Sequence, residues 1–170
     1  MPDLNRLRPA LLLLVLALCS ATPAGAQPPR IAGWVEYAWI EPGHHRVRAK
    51  LDTGARNSSL DAPSLHIFKR GGEDWARFRL DDGSGRGVSI ERPVVRFATI
   101  KRHFGRTERR PVIRLSLCMD GRLRDAEVNL VDRTGLIYPL LIGRSFLKNH
   151  YAVDPASTYL FGRQDCRAHR

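Results

Sequence analysis

Asp52-Thr53-Gly54-Ala55 follows an alternating run, Arg46-Val47-Arg48-Ala49-Lys50-Leu51, and the motif occurs once in the chain. Alternation of this kind marks a half-buried β-strand, so the run delivers Asp52 to the mouth of a glycine-bearing turn. A carboxylate held there suits general acid–base chemistry. Hydrolysis that divides the acid and base roles between carboxylates needs two of them sharing one proton. A chain with a single copy must therefore pair with a second copy of itself or do something else. The plainer reading of Asp52 is a residue that caps its own turn.

Other residue types with chemical potential form no second constellation. His44 and His45 adjoin Gly43, but neighbouring strand residues face opposite sides, so they read as loop histidines in solvent. His66, His103 and His150 are scattered, no H-E-x-x-H motif occurs, and Cys118 and Cys166 lie far apart, so neither a metal nor a cofactor is expected. Ser58 and Ser59 have no G-x-S-x-G context. Trp34, Trp39 and Trp75 read as core or rim packing.

The elements that must position Asp52 are short β-like runs separated by turn signals, which predicts an all-β fold, a small closed barrel or sandwich. Trp34 to Ile40 leads into a turn at Glu41-Pro42-Gly43, and Ser58 to Ala62 resumes after the Gly54 turn until Pro63 limits it. Trp75 to Leu80 and the pair Val88 to Ile90 and Pro93 to Ile100 flank a hairpin tip at Asp82-Gly83. Pro111 to Met119 and Arg122 to Val131 form a second hairpin around Asp120-Gly121. Leu140-Leu141-Ile142 has the apolar run of a strand buried on both faces, Gly143 ends it, and Arg144 to Asn149 supplies one short helix near the C-terminus. Tyr151 to Val153 and Tyr159 to Phe161 are expected as closing strands around a turn at Asp154-Pro155.

The first residues read as a leader. Arg6 and Arg8 precede an apolar run from Pro9 to Cys19, and Ala24-Gly25-Ala26 has the small-x-small pattern of a cleavage site, so residues 1–26 are expected to be a signal peptide cut after Ala26. Lipid anchoring at Cys19 is the weaker alternative, because Leu18 stands where a small residue is expected. Residues 27–170 then form one domain, periplasmic or secreted, with no further stretch near the roughly 20 apolar residues of a membrane helix. Removing the leader takes two arginines and one aspartate from the whole chain's +11, leaving +10. Cys118 and Cys166 remain, and an oxidising compartment permits but does not require their pairing. The basic clusters, Lys101-Arg102-His103 and Arg106 to Arg110, interleave one aromatic, Phe104. That is thin for base stacking, so an acidic substrate or anionic surface fits better than nucleic acid, and a merely solvated basic face fits better than either.

Asp52-Thr53-Gly54 after a strand, with Leu140-Leu141-Ile142-Gly143-Arg144 some ninety residues later, resembles the retropepsin-like aspartic protease fold. The likeness is closer to a bacterial group once labelled ATP-dependent zinc proteases, whose members often occur beside or fused to ATP-grasp amino-acid ligases. Three stretches carry it: Ala49 to Leu60, Phe104-Gly105 through Ile113, and Tyr138 to Arg144.

The resemblance implies an exported homodimeric endopeptidase acting on peptide or peptide-like amides. Two Asp52 carboxylates would meet about 3 Å apart across a two-fold axis and hold one proton between them. Thr53 would lock the pair, Gly54 would let the backbone approach closely, and Ala55 and Arg56 would contact substrate. Ile142, Gly143 and Arg144 would support the loop. Ala55 stands where many pepsins have Ser, and Arg56 where viral enzymes have an acid, so Arg144 either takes another partner, for which Asp61 is the candidate, or is simply exposed. Gly71-Gly72 and Asp82 to Gly87 are both candidates for a flap. The alternative is a catalytically silent scaffold that binds peptides by strand addition.

Overall fold

A computed structural model describes residues 27–80, 87–101, 107–164 and 166. The expected leader, its cleavage site and Cys19 lie outside these residues, as do residues 82–86 of one flap candidate.

Among the described residues, ten strands and one helix follow in chain order: β1 Arg30–Glu41, β2 His45–Asp52, β3 Ser58–Asp61, β4 His66–Arg70, β5 Glu73–Leu80, β6 Val88–Lys101, β7 Thr107–Met119, β8 Arg122–Val131, β9 Leu140–Gly143, α1 Arg144–Leu147 and β10 Tyr151–Thr158. The fold is all-β with one short helix, as the sequence predicts. Strands β1, β2, β9, β3, β8 and β7 pair in that order, and β7 returns to β1 through Trp39↔Cys118 and Ile40↔Leu117, closing a six-stranded barrel. Alternation fills it. Ile40, Leu60, Ile113, Leu115, Leu117, Leu130, Leu140 and Ile142 are buried inside.

Strands outside the barrel extend it at two places. β10 lies parallel to the first half of β1. Beyond β7 the sheet continues as β6, β5 and β4. The hairpin at Asp120-Gly121 forms as expected, with φ of 60° and 68° at its two residues, the mirror-image turn that suits a twisted pair.

Several boundaries differ from the sequence reading. Val88 to Ile90 and Pro93 to Ile100 are one strand, β6, whose partner changes from β5 to β7 around a register shift between Val94 and Arg96. Pro93, without an N–H, sits beside that changeover. β4 was not expected, because its charged edge residues carry no apolar alternation; Arg70 stacking on Trp75 at 4.3 Å and on Phe68 at 5.2 Å helps hold it. α1 stops at Leu147, since Lys148 is extended and Asn149 is left-handed at φ 67°. Tyr159 to Phe161 form a turn rather than a strand, and β10 continues past Asp154-Pro155 with its register against β1 broken opposite Gly33 to Val35, where Asp154 Oδ1 accepts the Ala156 N–H at 2.9 Å.

The segment after β10 is pinned to β1 and β7. Buried Glu36 accepts hydrogen bonds from the N–H groups of Gly33 at 2.8 Å, Leu160 at 2.9 Å and Phe161 at 3.3 Å. The Trp39 indole donates to the Gln164 carbonyl, and Cys118 and Cys166 form a disulfide, which decides the pairing that the sequence left open. His44 is not a solvent histidine: it stacks on Trp39 at 4.2 Å and its Nδ1 lies 2.8 Å from Glu41 Oε1.

Candidate active site

In β2, Val47, Ala49 and Leu51 point into the core, so Arg48, Lys50 and Asp52 project from the opposite face. Asp52 ends the strand and the chain turns at once. Its Oδ1 accepts the Gly54 N–H at 2.9 Å and the Ala55 N–H at 3.2 Å, while Ala55 N also approaches the Asp52 carbonyl at 3.3 Å. These bonds fix the carboxylate's orientation. Oδ2 lies 3.9 Å from Lys50 Nζ. A Cβ on Gly54 would stand 3.1 Å from Oδ1, so the bare glycine keeps that side of the carboxylate uncrowded.

Strand β9 and α1 hold the loop from beneath. Leu51↔Ile142 and Asp52↔Gly143 are paired in parallel register. Gly143 N donates to Ser58 Oγ at 3.2 Å. Backbone N–H groups of Arg144 and Ser145 donate to the carbonyls of Ala55 and Arg56 at 2.9 and 3.0 Å. Arg144 does not pair with Asp61; it is exposed, the other of the two readings the sequence left open. Its NH1 donates to the carbonyls of Thr53 at 2.6 Å and Gly54 at 2.9 Å, because the start of α1 places it under the turn.

Asp61 is occupied elsewhere. Its Oδ1 accepts the backbone N–H of Arg133 at 2.7 Å, and the Arg133 guanidinium donates to Ser59 Oγ at 3.0 Å and to the Tyr138 carbonyl at 3.2 Å. Burial draws the Arg133 pKa below the ordinary arginine value, the Asp61 carboxylate opposes this, Arg110 adds to it, and Asp52 opposes it. Arg133 thus feels Asp52 through space. On the other side of β3, buried Asn129 donates to the Ser58 carbonyl at 2.6 Å and accepts from Arg110 NH1 at 3.2 Å. Arg110 belongs to β7, which this contact ties to the strand behind the Asp52 loop. Gly71-Gly72, by contrast, turns the outer β4–β5 hairpin.

Thr53 and Arg56 are exposed and Ala55 is half-buried. Thr53, Arg56, Arg144, Lys148 and Tyr151 line an open depression of about 590 Å³ beside the loop. Among the described residues, no group of three or more His, Cys, Asp or Glu side chains could hold a metal ion. No helix among them is long and apolar enough to cross a membrane.

Sequence reasoning missed the surroundings of Asp52. Lys50 was legible, since two residues apart on a strand means the same face. Asn129 carried a signal too: it is a polar residue inside the apolar run Val128 to Val131. Arg133 did not, because its position depends on how the segment between β8 and β9 folds back.

A family model described as RimB-like, retropepsin-like aspartic endopeptidase RimB, matches residues 31–164. A protein of Shewanella halifaxensis named probable alpha-L-glutamate ligase is 33% identical over 122 residues, 70% of this chain and 27% of the relative. One of Desulfotalea psychrophila with the same name is 33% identical over 133 residues, 75% of this chain and 28% of the relative. The chain therefore spans little more than a quarter of these relatives' length. A crystal structure of a Legionella pneumophila protein of unknown function is similar with a TM-score of 0.66 and 32% identity, covering 78% of this chain and 98% of that one.

Proposed function

Since the chain belongs to the RimB-like family of retropepsin-like aspartic endopeptidases, we propose that it is an exported homodimeric peptidase that uses two Asp52 residues, one per subunit. The observation that carries this reading is the presentation of Asp52. One carboxylate oxygen is fixed by two backbone N–H groups, and the other projects from the solvent-facing side of β2. A turn-capping Asp has the first property, and a barrel strand ending at a family-specific loop adds the second.

Two such carboxylates about 3 Å apart hold a single proton between them. The ionised one accepts a proton from a water as that water attacks an amide carbonyl carbon. The protonated one donates to the carbonyl oxygen, giving a tetrahedral diol. Collapse of the diol transfers a proton to the leaving nitrogen and returns the pair to its starting state. Arg144 serves here by holding the Thr53 and Gly54 carbonyls, so the loop does not shift as charge moves on Asp52.

An acidic substrate fits the surroundings. Lys50, Arg56, Arg133 and Arg144 lie around the Asp52 loop, and the mature chain carries an excess of ten positive charges. The relatives named for glutamate ligation favour the same chemistry, an amide-linked chain bearing carboxylates. Digestion of matched acidic and basic peptide libraries by the wild type and Asp52→Asn tests this. Cleavage of acidic peptides that disappears in Asp52→Asn is expected; cleavage that survives the substitution contradicts it.

A further inference from the structure

We propose that Lys50 is the residue that sets side-chain preference beside the cleaved bond, by taking a carboxylate of the substrate. The inference rests on the peptidase reading of Asp52 and adds a specificity determinant to it.

Lys50 and Asp52 leave β2 on the same face, and Lys50 Nζ stands 3.9 Å from Asp52 Oδ2, with side chains 44% and 28% exposed. An ion pair this long and this open to water does little for stability. Folding alone therefore gives no reason for a cation there. Three neighbouring guanidinium groups are committed to fixed hydrogen bonds, Arg144 to the Thr53 and Gly54 carbonyls, Arg133 to Ser59 and Tyr138, and Arg110 to Asn129 and Glu108, while Arg56 is exposed and lines the depression on the Arg144 side of the loop. Among the described residues no such hydrogen bond holds the Lys50 ammonium; its contact is the carboxylate that does the chemistry.

Pairing of two Asp52 residues changes that contact. Once one proton is shared, each carboxylate carries about half a charge, and its hold on Lys50 weakens. The ammonium then sits on a flexible stem of four carbons beside the reacting amide. Consecutive residues of an extended substrate are about 3.3–3.6 Å apart, so a reach of this size covers the residue flanking the scissile bond. A carboxylate there finds a cation, and a lysine there meets like charge.

The test uses internally quenched decapeptides that differ only by Glu, Gln or Lys at the position flanking the cut, mapped by mass spectrometry. Binding of the same peptides is followed by fluorescence anisotropy. For wild type the kcat/KM ratio of Glu to Gln should be roughly 10 to 100, the effect of one charge-assisted contact. Lys50→Met should bring the ratio near one, and any effect of the lost charge on Asp52 itself is common to all three peptides and cancels in the ratio. Lys50→Arg should keep the preference, and Lys50→Glu should favour the Lys peptide. A merely structural role would slow all peptides alike and would not invert. An unchanged Glu-to-Gln ratio in Lys50→Met overturns the proposal, as does a wild type that neither cuts nor binds the Glu peptide better than the Gln peptide. Cleavage persisting in Asp52→Asn overturns the peptidase reading instead, and the binding ratio of wild type to Lys50→Met still decides the role of Lys50.

Discussion

Gly143 stands opposite Asp52 in the parallel register of β2 and β9, and a Cβ at Gly143 would lie 2.6 Å from the Asn57 carbonyl oxygen. Backbone cannot yield by the needed distance without moving the loop or β9. Gly143→Ala is expected to cost about 2 kcal/mol or more, a fall in Tm of roughly 5–10 °C, and to abolish turnover. Thermal denaturation and peptide cleavage check both.

Arg144 separates charge from geometry. One guanidinium nitrogen serves the carbonyls of both Thr53 and Gly54. Lysine keeps the charge but has no planar fork to place two bonds from a fixed head. In Arg144→Lys, turnover is expected to fall about tenfold or more while Tm moves by less than roughly 3 °C. A parallel loss of both would mean that Arg144 acts on folding alone.

The disulfide joins residues 48 apart in sequence, Cys118 in the barrel wall and Cys166 after the last strand. Restricting a loop of that size in the unfolded chain is worth about 4 kcal/mol in the chain-entropy account. Cys166→Ser is expected to lose most of this in denaturant titrations, and wild type with reductant should match it.

Burial raises the pKa of Glu36 above its ordinary value of 4.5, its bonds from Gly33, Phe161 and Leu160 oppose the shift, and the nearby Asp120 carboxylate adds to it. A proton is therefore held more tightly in the folded state than in the unfolded one. This contribution to stability is complete below 4.5 and is lost as pH rises through the raised folded value. Asp120, raised by burial against the pull of Arg30 and Arg122, has the same sign above its ordinary 3.8. Between about pH 4 and about pH 8, the Tm difference between Glu36→Gln and wild type should move in the variant's favour. A difference independent of pH would contradict the assignment.

The barrel was legible because its strands carry the signals that strands must carry: alternation in β2 and β7, a doubly buried run in β9, and Asp120-Gly121 at the tightest turn. What was not legible depended on distant partners. The edge strand β4 is held by Arg70 on Trp75, and Tyr159 to Phe161 are bent because Glu36 captures two of their N–H groups. Within the site, Asp52 was readable from its place at the end of an alternating strand, and Gly143 and Arg144 from the resemblance to retropepsin-like proteases. Of the two readings open for Arg144, exposure holds and Asp61 does not, since sequence offers a carboxylate before it offers the backbone carbonyls of Thr53 and Gly54.

The dependence of the site on two copies of Asp52 is tested most directly by mixing. Wild type and Asp52→Asn are combined at a fixed total concentration, unfolded and refolded together, and assayed for cleavage of an acidic peptide. If each site takes one carboxylate from each subunit, activity falls with the square of the wild-type fraction. A fall in direct proportion to that fraction would mean that one Asp52 suffices, and would contradict the shared pair.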